Sequence, residues 1–495
     1  MARKQYRGWV SHDESFLFPP SPRDWLDEGH LVYFILDVVE LLDLSAIEEV
    51  IEAKDARGER PYNPAMMVAL LVYAYSVGIF SSRKIARATH EQVAFRVLTG
   101  GQHPHFSRIN AFRKTHLVAF AGLFKQVLRL CQEAGLVKLG HVALDGSKVQ
   151  ANASKHKAMS YGYMVKLEAK LETEISALLA RAAEADAADD ARLGAENDDV
   201  DIPAELRRRG DRLAKLREAK AGLEAEAKAA RAQHELDLAA GCDERAEAAE
   251  ADKDRKLNET LAAKHREAAD RLSDDDDPPF VTPEGLPKHR PKSTPDGTPN
   301  DKAQRNLTDP DSRIMPSGGA FLQGYNAQAV ADDAYQVIVA AALTNQSPDA
   351  GNLAPMLELA VRNLGAAPTA LTADTGYWTP QVEEISRKLG TEAYVALKRT
   401  KHNEGVSPFS GEAPPAGADA RTRMAHKLTA PAGRAIYALR KSTVEPVFGQ
   451  MKEVRGFRRF SLRGIAAAAA EWDLVCLTHN LIKLFRYGGR PLAAE

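Results

Sequence analysis

One long stretch governs what this chain can fold into. From about residue 156 to 273 it is dominated by Ala, Glu, Lys, Arg, Asp and Leu, with apolar residues recurring every three or four positions. Met164, Leu167, Leu171, Ile175 and Leu178 form one series; Leu206, Leu213, Leu216 and Leu223 fit a heptad frame, as do Leu257, Leu261 and Leu272. Such stripes make long helices that pack on one another in a coiled-coil-like way, with the charges forming a solvated face. Pro203, Gly210 and the segment AENDDVDIP (195–203) interrupt the pattern, so an antiparallel hairpin is expected. This stretch cannot supply a globular core. The core must be assembled from what lies before and after it, and that brings two remote apolar runs into play: HVALD (141–145) and PTALTAD (368–374).

At 495 residues the chain exceeds one ordinary core, so two or three domains are expected. Residues 1–135 read as a helical domain with DNA binding as its candidate role, a plain helical bundle being the bland alternative. Leu31, Phe34, Ile35, Val38, Val39 and Leu42 share one helical face, and Asn63-Pro64 is an N-cap followed by a first-turn proline, with Gly78 near the stop. Short helical pieces follow over 81–100, then a loop, GGQHPHFSRINAFRK. Residues 136–155 open an α/β core, 156–273 form the helical insertion, and 274–304, with seven prolines, read as a flexible linker. The remainder, 305–495, alternates: two consecutive strands (GAFLQGYNAQAVAD and YQVIVAAALTN), the helix LAPMLELAVRNLG, a strand ending at Asp374, the helix TPQVEEISRKLG, the strand TEAYVALK and a basic helix from about 434. With 141–145 as first strand, that order fits a mixed sheet with helices packed on it.

The net charge of −2 hides a split between the acidic run Asp274–Asp277 and a basic C-terminal part holding Lys441, Lys452, Arg455, Arg458, Arg459 and Arg463. Local charge, not the average, sets phosphate affinity. Three scattered cysteines give neither zinc spacing nor a disulfide framework, which fits a reducing compartment. The N-terminal MARKQYRGWVSHDESF has no apolar segment, and no run approaches the roughly 18 apolar residues of a membrane span. A soluble, cytoplasmic protein is expected.

Asp145 and Asp374 each end an apolar run and are followed by turn-forming residues, Gly146-Ser147 and Thr375-Gly376. Ligands of open α/β sheets gather at such strand ends. A lone strand-end Asp is more often a turn residue or N-cap. Glu445 sits in a basic helix near Tyr437, Arg440, Lys441 and Lys452, where the plain alternative is a surface helix with i,i+4 ion pairs; Pro446 argues against that. Three converging carboxylates repel unless a cation lies between them. With no His or Cys nearby, hard oxygen ligands favour two Mg2+ or Mn2+ ions.

The segments VALDGSKVQANAS, TDPDSRIM with FLQGYNAQ, LTADTGYW, and YALRKSTVEPVFGQMKEVRGFRRFSLRG with the WDLVCLTHNLIKL tail resemble a DDE transposase of bacterial insertion sequences, as does the helical segment NPAMMVALLVYAYSVGIFSSRKIAR. That resemblance implies an RNase H-like catalytic core, with Asp145, Asp374 and Glu445 binding the catalytic metals. It implies DNA contacts by Tyr437, Arg440 and Lys452, with Arg455, Arg458 and Arg459 in the same basic segment. Four residues separate Arg440 from Glu445 where the Tyr-Arg-Glu-Lys signature usually has three, so Lys441 is an alternative holder of the arginine place. The insertion follows the first Asp strand rather than the second. The implied activity is metal-dependent cleavage at element ends and 3′-OH strand transfer into target DNA, by a homodimer or higher assembly associated with the nucleoid. An inactive DNA-binding derivative and a hydrolytic nuclease are the alternatives.

Other residues draw less specific expectations. Asp309, Asp311 and Arg313 border the site or form a turn, and Asn326 faces the cleft. Lys148 and Lys155 touch phosphate or water. His103, His105 and His479 have no metal spacing, and Trp378 stacks on a base or packs in the core.

Overall fold

The computed structural model describes residues 21–53, 60–193, 204–273, 280–398 and 411–488. The N-terminal MARKQYRGWVSHDESF, the 195–203 interruption with Pro203, the run Asp274–Asp277 and the first two prolines of the proline-rich stretch lie outside the described residues.

The N-terminal part is helical: α1 (Leu31–Leu41), α2 (Ser45–Glu52), α3 (Pro64–Ser76), α4 (Ser82–Glu91), α5 (Val93–Thr99), α6 (Phe106–Thr115) and α7 (Leu117–Glu133). Asn63 Oδ1 accepts from Met66 N at 3.1 Å and Pro64 occupies the first turn, so α3 starts where a cap and a residue without N–H both permit it. Every residue from Met67 to Ser76 is buried, which makes α3 a central helix with no polar face. The loop expected over 100–114 is corrected from residue 106 onward, where α6 begins. His105 caps it through Ser107, and Ile109 and Arg113, one turn apart, are both buried.

The sheet contains β1 (His141–Gln150), β4 (Arg313–Ser317), β5 (Ala320–Asp332), β6 (Ile338–Thr344), β7 (Ala370–Ala373) and β8 (Glu392–Val395); a separate pair joins β2 (Ala158–Ser160) to β3 (Gln304–Asn306). The order is β4-β5-β1-β7-β8, with β6 also on β5. β1 runs antiparallel to β5 and parallel to β7. This is the expected mixed sheet with flanking helices. The turn expected at Gly146-Ser147 is not there. β1 continues through it because thirteen-residue β5 offers partners all the way, from Val142↔Asp332 to Gln150↔Gly324. Asp145 is therefore a strand end only with respect to β7, whose last pair is Leu144↔Ala373.

Around the sheet lie α11 (Leu353–Leu364), α12 (Val382–Leu389), α13 (Ala420–Thr429), α14 (Pro431–Thr443), α15 (Glu445–Gly449), a π-helical turn (Gln450–Val454) and α16 (Ile465–Tyr487). One buried cluster runs from Val32 through the sheet to Leu484, so the N-terminal helices and the sheet share a core. α16 is its axle: Trp472, Leu474, Val475, Leu477 and Leu481 are buried among α3, α7 and β6. A buried polar cluster crosses the same region. Tyr75 donates to Glu471 Oε1 at 2.6 Å, Arg113 Nη1 donates to Tyr75 at 2.5 Å and lies 3.6 Å from Glu471, and Glu471 Oε2 accepts from Ser461 N and Leu462 N at 2.8 and 3.0 Å.

The insertion holds three described helices rather than a two-helix hairpin: α8 (Tyr161–Leu193), α9 (Ala204–Glu247) and α10 (Asp252–Asp270). Gly210 does not interrupt it. One glycine costs about 1 kcal/mol in a helix, little within the 44 residues of α9. Met164, Leu167 and Leu171 meet Leu213, Leu216 and Ala219, and Ala239 and Cys242 meet Ala262. The described residues of the expected linker, 280–304, form two hydrogen-bonded turns: Lys288 N to Phe280 O at 2.8 Å and Asn300 N to Lys292 O at 2.9 Å. Leu286 reaches the main core, and Glu226 of α9 pairs with both Arg305 and Arg313.

Candidate active site

The register of three strands brings the two aspartates together. β7 stops at Ala373, and the next residue, Asp374, turns out of the sheet as the cap of a short 3-10 turn, its Oδ1 accepting from Gly376 N at 2.8 Å. Beside it on β1, Asp145 Oδ1 accepts from Gly146 N at 2.8 Å. Pleating sends Asp145 and Ser147 to one face of β1, Gly146 and Lys148 to the other. Burial pushes the Asp145 carboxyl up to about 6 against the pull of Arg440, with Asp374 and Asp349 adding like charge.

The third carboxylate comes from a broken helix. The basic helix expected from about 434 is two pieces, because Pro446 in the first turn of α15 has no N–H to return to Ser442 O. That carbonyl accepts instead from Gln336 Nε2 at 2.8 Å. One guanidinium spans Asp145 and Glu445: Arg440 Nη1 to Asp145 Oδ2 at 3.0 Å, Nη2 to Glu445 Oε1 at 3.2 Å. Tyr437, one turn earlier, lies beside the same group; burial raises its phenol while Arg440 opposes that and Asp374 adds to it. Glu445 is about half exposed, on the open side of the site rather than on a buried one.

Arg440, not Lys441, reaches the carboxylates; Lys441 is exposed. Lys452 sits in the π-helical turn and donates to Ser147 Oγ and, at 3.0 Å, to Lys148 O, which ties the C-terminal segment to β1 two residues past Asp145. Burial lowers its ammonium pKa, and Arg458 lowers it further.

The expectation of a DNA contact is corrected for Arg455. Its guanidinium is buried against α16, donating to Thr478 Oγ1 at 2.7 Å and to Val475 O, and burial holds its pKa down to about 10. Arg458 and Arg459 are exposed; Arg458 pairs with Glu453, and Arg459 donates to Asn152 Oδ1 at 2.7 Å. Asp309 and Asp311 anchor the start of α16, accepting from Gly464 N at 3.1 Å and Ile465 N at 2.9 Å. Arg313 holds Glu226 of the insertion. His105 is a helix cap, His103 stacks on His90 at 3.9 Å, and His479 Nε2 donates to Gln336 O at 2.9 Å. Trp378 packs against the core.

Sequence reasoning missed Asp349. It lies in QSPDAGN after β6, whose Pro, Gly and Asn read as an ordinary turn. Its Oδ1 accepts from Asn326 Nδ2 at 2.7 Å, Gln328 Nε2 at 3.0 Å and Lys148 Nζ at 3.2 Å.

Among the described residues no three of His, Cys, Asp or Glu close on one point as a ready metal cage. The donor set nevertheless fits a hard cation. Asp145 and Glu445 offer only oxygen, and the position between them holds a positive group, the Arg440 guanidinium.

Two family descriptions match parts of the chain. Residues 20–115 match a family described as a transposase domain (DUF772), and residues 412–485 match a transposase DDE domain. Glu445 lies within the second span; Asp145 and Asp374 lie outside both. No curated protein and no solved structure matches the chain. The two matches bear out the resemblance to a DDE transposase of insertion-sequence type and support a transposase function with DNA binding. The DDE domain implies an RNase H-like fold, in keeping with the mixed sheet. Among the described residues no helix is long and apolar enough to cross a membrane.

Proposed function

We propose, from the premise of a DDE transposase of insertion-sequence type, that this chain cleaves DNA at the ends of its element and joins the freed 3′-OH to target DNA. Asp145, Asp374 and Glu445 are the candidate holders of two Mg2+ or Mn2+ ions. The observation that carries this reading is the shared guanidinium: carboxylates from β1 and α15, remote in sequence, already converge on one positive charge. When bound, the metals supply Lewis-acid stabilisation of the attacking and leaving oxygens of an in-line displacement.

The chain's own residues do the rest. Burial and like charge leave Asp145 strained as an anion, so it favours a cation beside it. Arg440 holds Glu445 and Asp145 in place until DNA arrives, and its planar fork then suits a phosphate. Tyr437 and Lys452 flank the same opening and would orient the backbone, with Lys441, Arg458 and Arg459 on the exposed basic surface beyond. Arg455 is left out of this set because it is buried. The helices of residues 1–135 are the candidate reader of the element end. The α8–α10 insertion, taken as coiled-coil-like, is the candidate for joining two copies in a homodimer or larger synaptic assembly. A cytoplasmic, nucleoid-associated location follows from this function.

The test is a strand-transfer assay on the full chain with the element's flanking ends and Mg2+. Asp145→Ala and Glu445→Gln should each lose roughly two to three orders of magnitude in both cleavage and joining. Unchanged activity in both variants sinks the assignment. Cleavage without joining in the parent protein makes it a nuclease instead. Binding of the ends without either reaction makes it a DNA-binding derivative.

A further inference from the structure

We propose that Asp349 is a positioning residue that locks the two aspartate-bearing backbone segments at fixed separation. The inference rests on the reading of Asp145 and Asp374 as the metal-holding pair.

The geometry begins with two glycines. Each aspartate is followed closely by one, Gly146 and Gly376. Neither glycine has positive φ, so backbone freedom does not explain them. Space does. A Cβ on Gly146 would lie 2.2 Å from Gln328 Nε2, 2.9 Å from Asp349 Oδ1 and 3.0 Å from the Tyr377 hydroxyl. A Cβ on Gly376 would lie 3.0 Å from Asp374 Oδ1 and 3.3 Å from Asp349 Oδ2. The same carboxylate therefore presses on both segments, one oxygen toward each.

Its partners close the arrangement. Asp349 Oδ1 accepts from Asn326 and Gln328 of β5 and from Lys148 of β1, at 2.7, 3.0 and 3.2 Å. The other end of the Gln328 amide accepts from the Tyr377 hydroxyl, and fully buried Tyr377 ends the 3-10 turn that Asp374 caps. A continuous path runs Lys148–Asp349–Gln328–Tyr377, tying β1 to the turn after β7 through β5. Lys148 and Gly146, which meet Asp349, lie on the face of β1 opposite to Asp145. A carboxylate suits this place because it can accept several hydrogen bonds at once, one of them from an ammonium. An amide could not accept all three on one oxygen with comparable strength. Removing the carboxylate would leave three donors on two strands without their shared acceptor.

The experiment compares the full-length parent with Asp349→Ala and Asp349→Asn by hydrogen exchange of peptides covering 141–150 and 370–378, alongside cleavage kinetics. The Gly146 and Gly376 amides donate to Asp145 and Asp374, so their exchange reports the lock directly. In Asp349→Ala both peptides should exchange faster by about tenfold, while a peptide within 64–76 stays unchanged. The turnover rate for cleavage should fall by about ten- to a hundredfold, with KM for DNA within about twofold. Asp349→Asn, which keeps the shape and part of the bonding, should lie between Ala and the parent. Unchanged exchange in both peptides, or faster exchange throughout the chain, overturns the proposal. If the parent itself neither cleaves nor joins DNA, the functional reading falls, while the exchange result still decides whether Asp349 holds the two segments.

Discussion

Arg440 does with one side chain what two metal ions would have to undo. It lies between Asp145 and Glu445, so an incoming cation must displace or share it. Arg440→Ala should therefore bind Mn2+ about tenfold more tightly than the parent without DNA, as read by titration calorimetry. The same change should weaken DNA cleavage, because the fork for phosphate is lost. Arg440→Lys should not rescue: a point charge cannot span two carboxylates as a planar fork does. At this scale the sequence is a good guide to residue type and a poor one to direction. The four-residue spacing from Arg440 to Glu445 points to Lys441 only if the helix is continuous. The helix is interrupted at Val444, ahead of Pro446, and it is Arg440 that reaches Glu445. Arg455 shows the complementary problem: a run of basic residues is visible in sequence, but which of them turns inward to α16 is decided by packing.

That break is an element-scale device. Pro446 frees Ser442 O, and Gln336 takes it. Pro446→Ala restores an N–H that can close the helix across the gap. It should stabilise the α14–α15 junction by about 1 kcal/mol in urea unfolding yet lower cleavage by about tenfold, because Glu445 would rotate away from Asp145. A loss of stability, or intact cleavage, would contradict that account. Helix faces such as that of α1 are legible from their spacing. β1 is less so, since Asp-Gly-Ser reads locally as a turn and only the length of β5 keeps it extended. β4 hides for a similar reason: Pro316 discourages a strand, and an edge position allows it.

Across the whole molecule, the segments that read as separate units share one core. Glu471 binds Tyr75 and Arg113 from the N-terminal helices and the loop before α16 from the C-terminal side. Glu471→Ala strands a buried guanidinium and should cost about 3–5 kcal/mol, with α3 and α16 unfolding in one transition. No local pattern announces this, because Tyr75 and Arg113 lie hundreds of residues before Glu471. A second global effect is pH. Burial first, and Arg455 next, hold the His479 imidazole down to about 3. Above pH 6.5 it is neutral folded or unfolded. Below that, the unfolded chain takes up a proton the folded one refuses until about pH 3. Stability should therefore fall by about 1.4 kcal/mol per pH unit from this residue as pH drops below 6.5. His479→Gln should flatten that slope in denaturation curves recorded from pH 7 to 5.

The β2–β3 pair has a consequence for how the protein comes to be folded. β1 must find β5 across the whole insertion, a long and entropically slow closure for an open chain. Ala158–Ser160 pairs with Gln304–Asn306, so everything between them enters and leaves at one narrow stem. The helices of the insertion form from local contacts, early and fast. Once they zip the stem, the path from β1 to β5 shortens to the few residues on either side of it. The insertion then serves as a folding clasp: a detour in sequence that removes most of its own distance before the catalytic sheet has to assemble.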